Sequence, residues 1–267
     1  DWDEVRSCTV LDDALAPHTV SLPPRDGAEP APVAALRLDA AIAGVIDELE
    51  RVLAPTDFRA DLAAQLRSIY APGVGMAEAF GRWLERVLGH RGLVVYDSSD
   101  RAAKPLVSQV FARELSSPGH TAALATAAGA ELVARGYHSQ VQVHEHAVAL
   151  FHLDGGRRPI RWQGDQLLLG EAAYSPEAMA RDAVERPFAF SPNVLLRPIV
   201  QDTLFPTICY VAGPNELAYL GQLRGVYEHF GVPMPLMYPR ATATLVDAGA
   251  VRFLTKYHVP LEALQPQ

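Results

Sequence analysis

The chain has 267 residues, with 23 Lys and Arg against 31 Asp and Glu and a net charge of −8 at neutral pH. It has no basic run and no apolar run near the roughly 18–20 residues that a membrane helix needs, so neither nucleic acid nor a membrane is an expected partner. Its two cysteines, Cys8 and Cys209, form neither a disulfide framework nor a zinc-finger spacing, and the expected home is a reducing cytoplasm.

In chain order, residues 5–11 and 19–22 read as short strands, followed by a Pro-rich loop over 23–32. Apolar residues at three- and four-residue spacing predict helices over 36–53, 57–70 and 76–88, separated by Ala54-Pro55-Thr56 and Ala71-Pro72-Gly73. The run Gly92-Leu93-Val94-Val95-Tyr96 predicts a buried parallel strand ending in Asp97-Ser98-Ser99-Asp100. Helices are expected next, over about 105–115 and 121–135.

The pattern changes at Gly136. Residues 140–170 alternate and turn at Asp154-Gly155-Gly156, Gly164-Asp165 and Gly170, which predicts an antiparallel unit inserted into the fold and standing off its main sheet. Ser175-Pro176-Glu177 then starts a short helix, with Ser as the cap and Pro in the first turn. A strand over 207–211 leads to a helix over 214–230, whose buried face is Leu217, Leu220, Leu223, Tyr227 and Phe230. A strand over 236–238 and a helix over 251–257 follow. Three short apolar runs, each passing through polar turn residues into a helix, predict an α/β fold with 92–96, 207–211 and 236–238 parallel in one sheet.

The most informative stretch is 188–240, which holds seven of the 21 prolines but only six Asp, Glu, Lys or Arg in 53 positions. Polar residues sit where its strands hand over to helices, as at an α/β site. Gly213-Pro214-Asn215-Glu216 joins a strand to a helix; it reads either as an anion pocket of free N–H groups or as helix-start chemistry alone. Arg240, after Tyr238-Pro239, would aim a cation at the same cleft, with Asp97 and Asp100 ending a third strand. Asn193, Arg197 and Gln201 are four apart and share a helical face next to Asp202. They suit a carboxylate or amide substrate, or a buried network that orders the sheet. His144 and His146, near His138 and His152, lack a third ligand at a recognisable spacing, so no metal site is expected. Cys209, inside an apolar strand, is expected to be an inert small hydrophobe. GxGxxG, Walker A, GxSxG, HIGH-type and KMSKS-type motifs are all absent. The residues by themselves give an α/β protein with an anion-holding cleft.

The order Phe190-Ser191-Pro192-Asn193-Val194-Leu195-Leu196-Arg197-Pro198, Gln201-Asp202, Pro206-Thr207, Tyr210-Val211-Ala212-Gly213-Pro214, Glu216, Phe230-Gly231-Val232-Pro233-Met234-Pro235 and Pro239-Arg240 resembles one family closely. That family is the cysteine-adding enzymes of bacillithiol biosynthesis. The resemblance implies a Rossmann-like parallel core related to class I nucleotidyltransferases and aminoacyl-tRNA synthetases, connecting insertions, and a C-terminal coiled coil that suits a homodimer. It implies a cytoplasmic ligase joining cysteine to glucosaminyl-malate, with a nucleotide such as ATP as a candidate cofactor. Asn193, Arg197, Gln201, Asp202, Gly213, Asn215, Glu216 and Arg240 would then bind substrate, and Asp97, Gly213 and Pro214 the cofactor.

On this reading 1–35 and 92–135 are parts of the core, 36–91 a helical region and 136–187 the inserted β-rich unit. The core resumes with its site loops over 188–250, and 251–267 begins the C-terminal helices. The chain is expected to be a central fragment, with the family's Gly-rich nucleotide-type part upstream. The alternatives are a non-catalytic α/β remnant or binding module, and another small-molecule ligase or nucleotidyltransferase on the same core.

Overall fold

A computed structural model describes residues 2–24, 31–144 and 146–264. Helix α1 (Trp2–Val5) leads into an antiparallel hairpin of β1 (Ser7–Leu11) and β2 (Pro17–Ser21), in register at Thr9↔Thr19. The Asp12 carboxylate shapes the turn by accepting from the Ala14 and Ala16 N–H groups at 2.9 and 2.8 Å. Of the expected Pro-rich loop, 25–30 lie outside the described residues. Helices α2 (Ala41–Val52), α3 (Arg59–Ile69) and α4 (Met76–Leu88) follow where the apolar spacing predicts them. Their inward faces build a small core of Leu22, Leu36, Leu38, Ile42, Ile46, Met76 and Ala79. Backbone bonds from Met76 to Leu36 (2.8 Å) and from Leu38 to Val74 (2.9 Å) tie the entry to α2 onto the start of α4.

The apolar run 92–96 is not a strand. Gly92, in the left-handed region at φ 84°, ends a 3-10 turn over Gly89–Arg91. The residues after it pair with no strand, and Val94 is 87% exposed. A β-prone sequence forms a ladder only where a neighbouring strand meets its N–H and C=O groups. Here Val95 rests on Gly81 of α4, while the Tyr96 ring packs edge-on against Phe205 with centroids 4.9 Å apart.

The larger core begins at a 3-10 turn, Lys104–Val107, which runs into α5 (Ser108–Ser116) and then α6 (His120–Ala134). These elements cover a five-stranded antiparallel sheet of β3 (Ala147–His152), β4 (Arg158–Gln163), β5 (Gln166–Leu169), β6 (Ala172–Tyr174) and β7 (Phe190–Pro192), in the order β6-β5-β4-β3-β7. In β3 the successive residues Val148, Ala149 and Leu150 are all buried, so this strand is covered on both faces. Pro192, which has no N–H to donate, falls on the edge strand β7, where its loss to the ladder is least.

The segment 140–170 is antiparallel, as the sequence suggested, and supplies three of these five strands, in a sheet separate from the strands over 209–212 and 236–239. It packs onto the rest of the fold, since Val148, Leu150, Ile160 and Leu167 share one core with Leu195, Ile199 and Leu220. Alternation reports which face of a strand is buried, not what buries it.

Helix α7 (Pro176–Glu185) starts as predicted, with the Ser175 hydroxyl accepting from the Ala178 N–H at 3.2 Å. Helix α8 (Arg197–Leu204) follows β7. Then β8 (Cys209–Ala212) and β9 (Leu236–Pro239) pair in parallel, Cys209↔Leu236 to Ala212↔Pro239, across α9 (Pro214–Leu220) and α10 (Arg224–Phe230). The expected parallel sheet of three is therefore a pair. The single helix expected over 214–230 breaks at Gly221-Gln222-Leu223. The buried Gln222 amide there turns inward, accepting from the Val141 N–H (2.9 Å) and donating to the Ser139 hydroxyl (3.0 Å). Cys209 lies on the exposed side of β8 and is not a core residue. Helix α11 (Ala248–Tyr257) is capped by Asp247, which accepts from the Ala250 N–H at 2.9 Å.

Glu114 is the deepest acid, 1% exposed. One carboxylate oxygen accepts from the Ala149 N–H of β3 at 2.8 Å and the other from the Thr121 hydroxyl of α6. Burial raises its pKa above the ordinary carboxylate range, while the two hydrogen bonds pull it down. Because its folded pKa is raised, the stability this group contributes is full below the ordinary carboxylate pKa and is lost as pH rises through the raised value. Glu114→Gln, which keeps both contacts without the charge, should therefore gain on the native protein as pH rises above about 4, the ordinary carboxylate range, read by chemical denaturation. Glu114→Ala leaves the Ala149 N–H unpaired and should cost about 2–4 kcal/mol.

Candidate functional site

Three groups of the predicted residues can be located. The first is the turn at the carboxyl end of β8. Its Gly213 N–H donates to the Glu216 carboxylate at 2.7 Å, and the same carboxylate oxygen lies 3.5 Å from the Arg240 guanidinium. The Arg240 N–H donates to Ala212 C=O at 2.8 Å, holding the two loops together. A side chain at Gly213 would meet the far end of the exposed Arg240 side chain, which would have to move aside. The sequence thus brings Gly213, Glu216 and Arg240 to one sheet edge, and Asn215 beside them is exposed. The expected anion pocket is filled by the chain's own carboxylate. Pro214 has no N–H, and the Gly213 N–H is engaged by Glu216. Asp97, an exposed acid whose carboxylate accepts from the Ser99 N–H at 2.8 Å, does not complete it.

The second group lies on α8. The Asn193 side chain accepts from the Leu195 and Leu196 N–H groups at 2.9 and 3.3 Å and so shapes the entry to the helix. Pro198 suits the first turn of α8. One turn on, Asp202 accepts from the Tyr227 hydroxyl at 2.6 Å and from the Gln201 amide at 3.3 Å. Burial first, and then the Asp202 bond, pushes the Tyr227 phenol well above its ordinary range. Tyr210 is raised likewise, by burial and its hydrogen bond to Tyr219. Asp202 is thereby committed to linking α8 with α10.

The third group surrounds a cavity of about 200 Å³ lined by Tyr96, Ser98, Lys104, Ser191, Arg197 and Gln201, with apolar residues between them. Drug-sized ligands occupy roughly 300–1,000 Å³, so this space suits a small polar molecule. Arg197 and Gln201, predicted as substrate residues, both line it. Lys104 was missed: it is 9% exposed, its ammonium donates to Phe190 C=O at 3.3 Å, and burial pushes its pKa below the ordinary lysine value while Asp97 pulls it up. The available signal was composition, since Lys104 and Lys256 are the only lysines among the 23 basic residues. Tyr96 and Ser98 also close a larger apolar cavity of about 900 Å³ in the smaller lobe, lined by Leu22, Ile46, Leu66 and Tyr70.

The histidines do not converge as a strand pair. His146 sits before β3 with φ 65° and packs edge-on to Trp162 at 5.0 Å, while His152 is inside β3. Glu145 lies outside the described residues.

A protein-family model for the bacillithiol biosynthesis protein BshC, N-terminal Rossmann-like domain, matches residues 1–241. A protein of Salinibacter ruber named "Putative cysteine ligase BshC" is 36% identical over 262 residues, 96% of this chain and 47% of its own length. Proteins of the same name from Koribacter versatilis and Chlorobaculum tepidum are 34% and 35% identical, over 88% and 83% of this chain and 44% and 40% of theirs. The chain spans about half the length of the curated relatives it matches.

The Asp202–Tyr227 bond gives a direct test. Tyr227→Phe should lower stability by about 1–2 kcal/mol, and Asp202→Asn combined with it should cost little more than one change alone. Urea denaturation of the two single variants and the double variant reads that coupling.

Proposed function

The chain belongs to the BshC family of bacillithiol biosynthesis, and on that premise we propose that the protein it forms part of is a ligase joining cysteine to glucosaminyl-malate through an amide bond. The family match over 1–241 carries this reading. The arrangement of Lys104, Arg197 and Gln201 around one cavity supports it.

The chemistry asks for three things. An activated carboxyl carbon must be held close to an uncharged amine nitrogen. The remaining carboxylates must be neutralised so that the reactants can approach. Water must be kept from the activated acyl group. Arg197 and Lys104 meet the second need as cations lining one small cavity, Lys104 from its buried side and Arg197 from its exposed side. Tyr96, packed edge-on against Phe205 at the wall, and the apolar side chains Val107, Val200 and Leu204 meet the third. Gln201 offers a neutral amide to orient an amide or hydroxyl group. The new bond forms when the amine lone pair attacks the activated carbon and the activating group leaves with its electron pair. No residue here is assigned to the activation itself, because the Gly213–Pro214 turn is closed by Glu216. We read β8 and β9 as part of a larger parallel sheet, since Ile208, Val211, Leu236 and Tyr238 are exposed where an inner strand would be covered.

In a strain deleted for the full-length gene, bacillithiol should vanish and glucosaminyl-malate should accumulate, with the full-length gene restoring the thiol. Arg197→Ala in the full-length enzyme should lower kcat/KM by about 100-fold or more, as loss of a cation at a reacting centre does. Unchanged bacillithiol in the deletion strain would end the ligase reading.

A further inference from the structure

We propose that Lys104 and Arg197 form a site for a small dianionic acid, with its charged end against the Lys104 ammonium and its body in the cavity closed by Tyr96. This rests on and deepens the ligase reading, since the acceptor named there carries a malyl group.

Lys104 is nearly buried, and among the described residues its ammonium has one hydrogen bond, to Phe190 C=O at 3.3 Å, and no ion pair. An ammonium has three N–H donors, so two remain for whatever occupies the cavity beside it. A buried cation without a paired anion is costly, and a chain that otherwise uses arginine nearly throughout retains a lysine at this place.

Arg197 lines the same cavity and has no ion pair among the described residues. Arg157 approaches from the sheet. Its guanidinium stacks on the Phe151 ring, 3.7 Å from the centroid, and Phe151 pairs in register with Ser191, which also lines the cavity. Arg157 itself lies outside the cavity lining, and desolvation first, then the Arg197 cation, hold it below the usual guanidinium range. The acids in reach are Asp97, beside Lys104, and Glu4, beside Arg157. Neither lines the space between Lys104 and Arg197 as an ion-pair partner. An ammonium and a guanidinium lining one small cavity attract a doubly charged anion, and the Ser191 hydroxyl and Gln201 amide offer neutral hydrogen bonds to its oxygens.

The chemistry is shared by dicarboxylates and phosphate, so the test uses both. Isothermal titration of the full-length protein with L-malate and, separately, with inorganic phosphate identifies the source. Malate binding that weakens at least about tenfold in Lys104→Met and again in Arg197→Met supports a dicarboxylate site. Binding of phosphate alone, lost in the same variants, supports the site and assigns it to a phosphate group. Lys104→Met should also melt at or above the native temperature, because an uncharged side chain of similar shape removes the burial cost. The proposal is overturned if neither anion binds, if both variants bind as the native protein does, or if Lys104→Met unfolds. Malate binding through these residues without any amide formation would keep the site and end the ligase reading, so the two failures are distinguishable.

Discussion

The buried carboxylate of Glu114 is the point from which the larger half of the molecule is positioned. It sits on α5, takes a hydroxyl from α6 and takes a backbone N–H from β3. That N–H belongs to the strand covered on both faces, so the contact sets where the sheet lies beneath its helices. β3 then fixes β7 through Leu150↔Pro192 and Phe151↔Ser191, and the Asn193 N–H donates back to Ala149 C=O at 2.9 Å. The Asn193 side chain turns the backbone into α8, which sets Arg197 and Gln201 at the cavity wall and Asp202 against Tyr227. A polar group that is expensive to bury holds its position because its hydrogen bonds have no substitute.

Lys104 and Gln222 extend the same principle. Each sends a buried polar group across a long sequence separation to a backbone group, Lys104 to Phe190 C=O and Gln222 to the Val141 N–H. The Lys104 tether ends on β7 beside Ser191, at the candidate site. Lys104 is buried and already tethered there, which favours binding because little of its side-chain order remains to be imposed.

Local chemistry was legible in the sequence wherever one segment decides its own structure. The three helices α2 to α4, the Ser175 cap and the pairing of Gly213 with Glu216 all follow from residues at short spacing. The parallel pair β8–β9 and the meeting of Arg240 with Gly213 were also readable, since a strand, a turn and a helix repeat around them. The run 92–96 misled because apolar β-branched residues describe a strand's side chains and say nothing about its hydrogen-bonding partner. Burial of Lys104 and the approach of Arg157 to Arg197 depend on pairing between β3 and β7, forty residues apart in the chain. No local pattern carries that information. The break at Gly221 was hidden for a related reason: the Gln222 amide turns inward to meet Val141, a partner 81 positions away.

The scarcity of lysine has a practical meaning for amine chemistry. Within these residues an acylating reagent meets two side-chain amines, Lys256 on the exposed surface of α11 and Lys104 behind Tyr96. Burial leaves more of the Lys104 amine in its uncharged, nucleophilic form, yet a reagent must enter the cavity to reach it. The rate at which Lys104 becomes acylated, set against Lys256 in the same sample, is thus an internal clock for how often that cavity stands open.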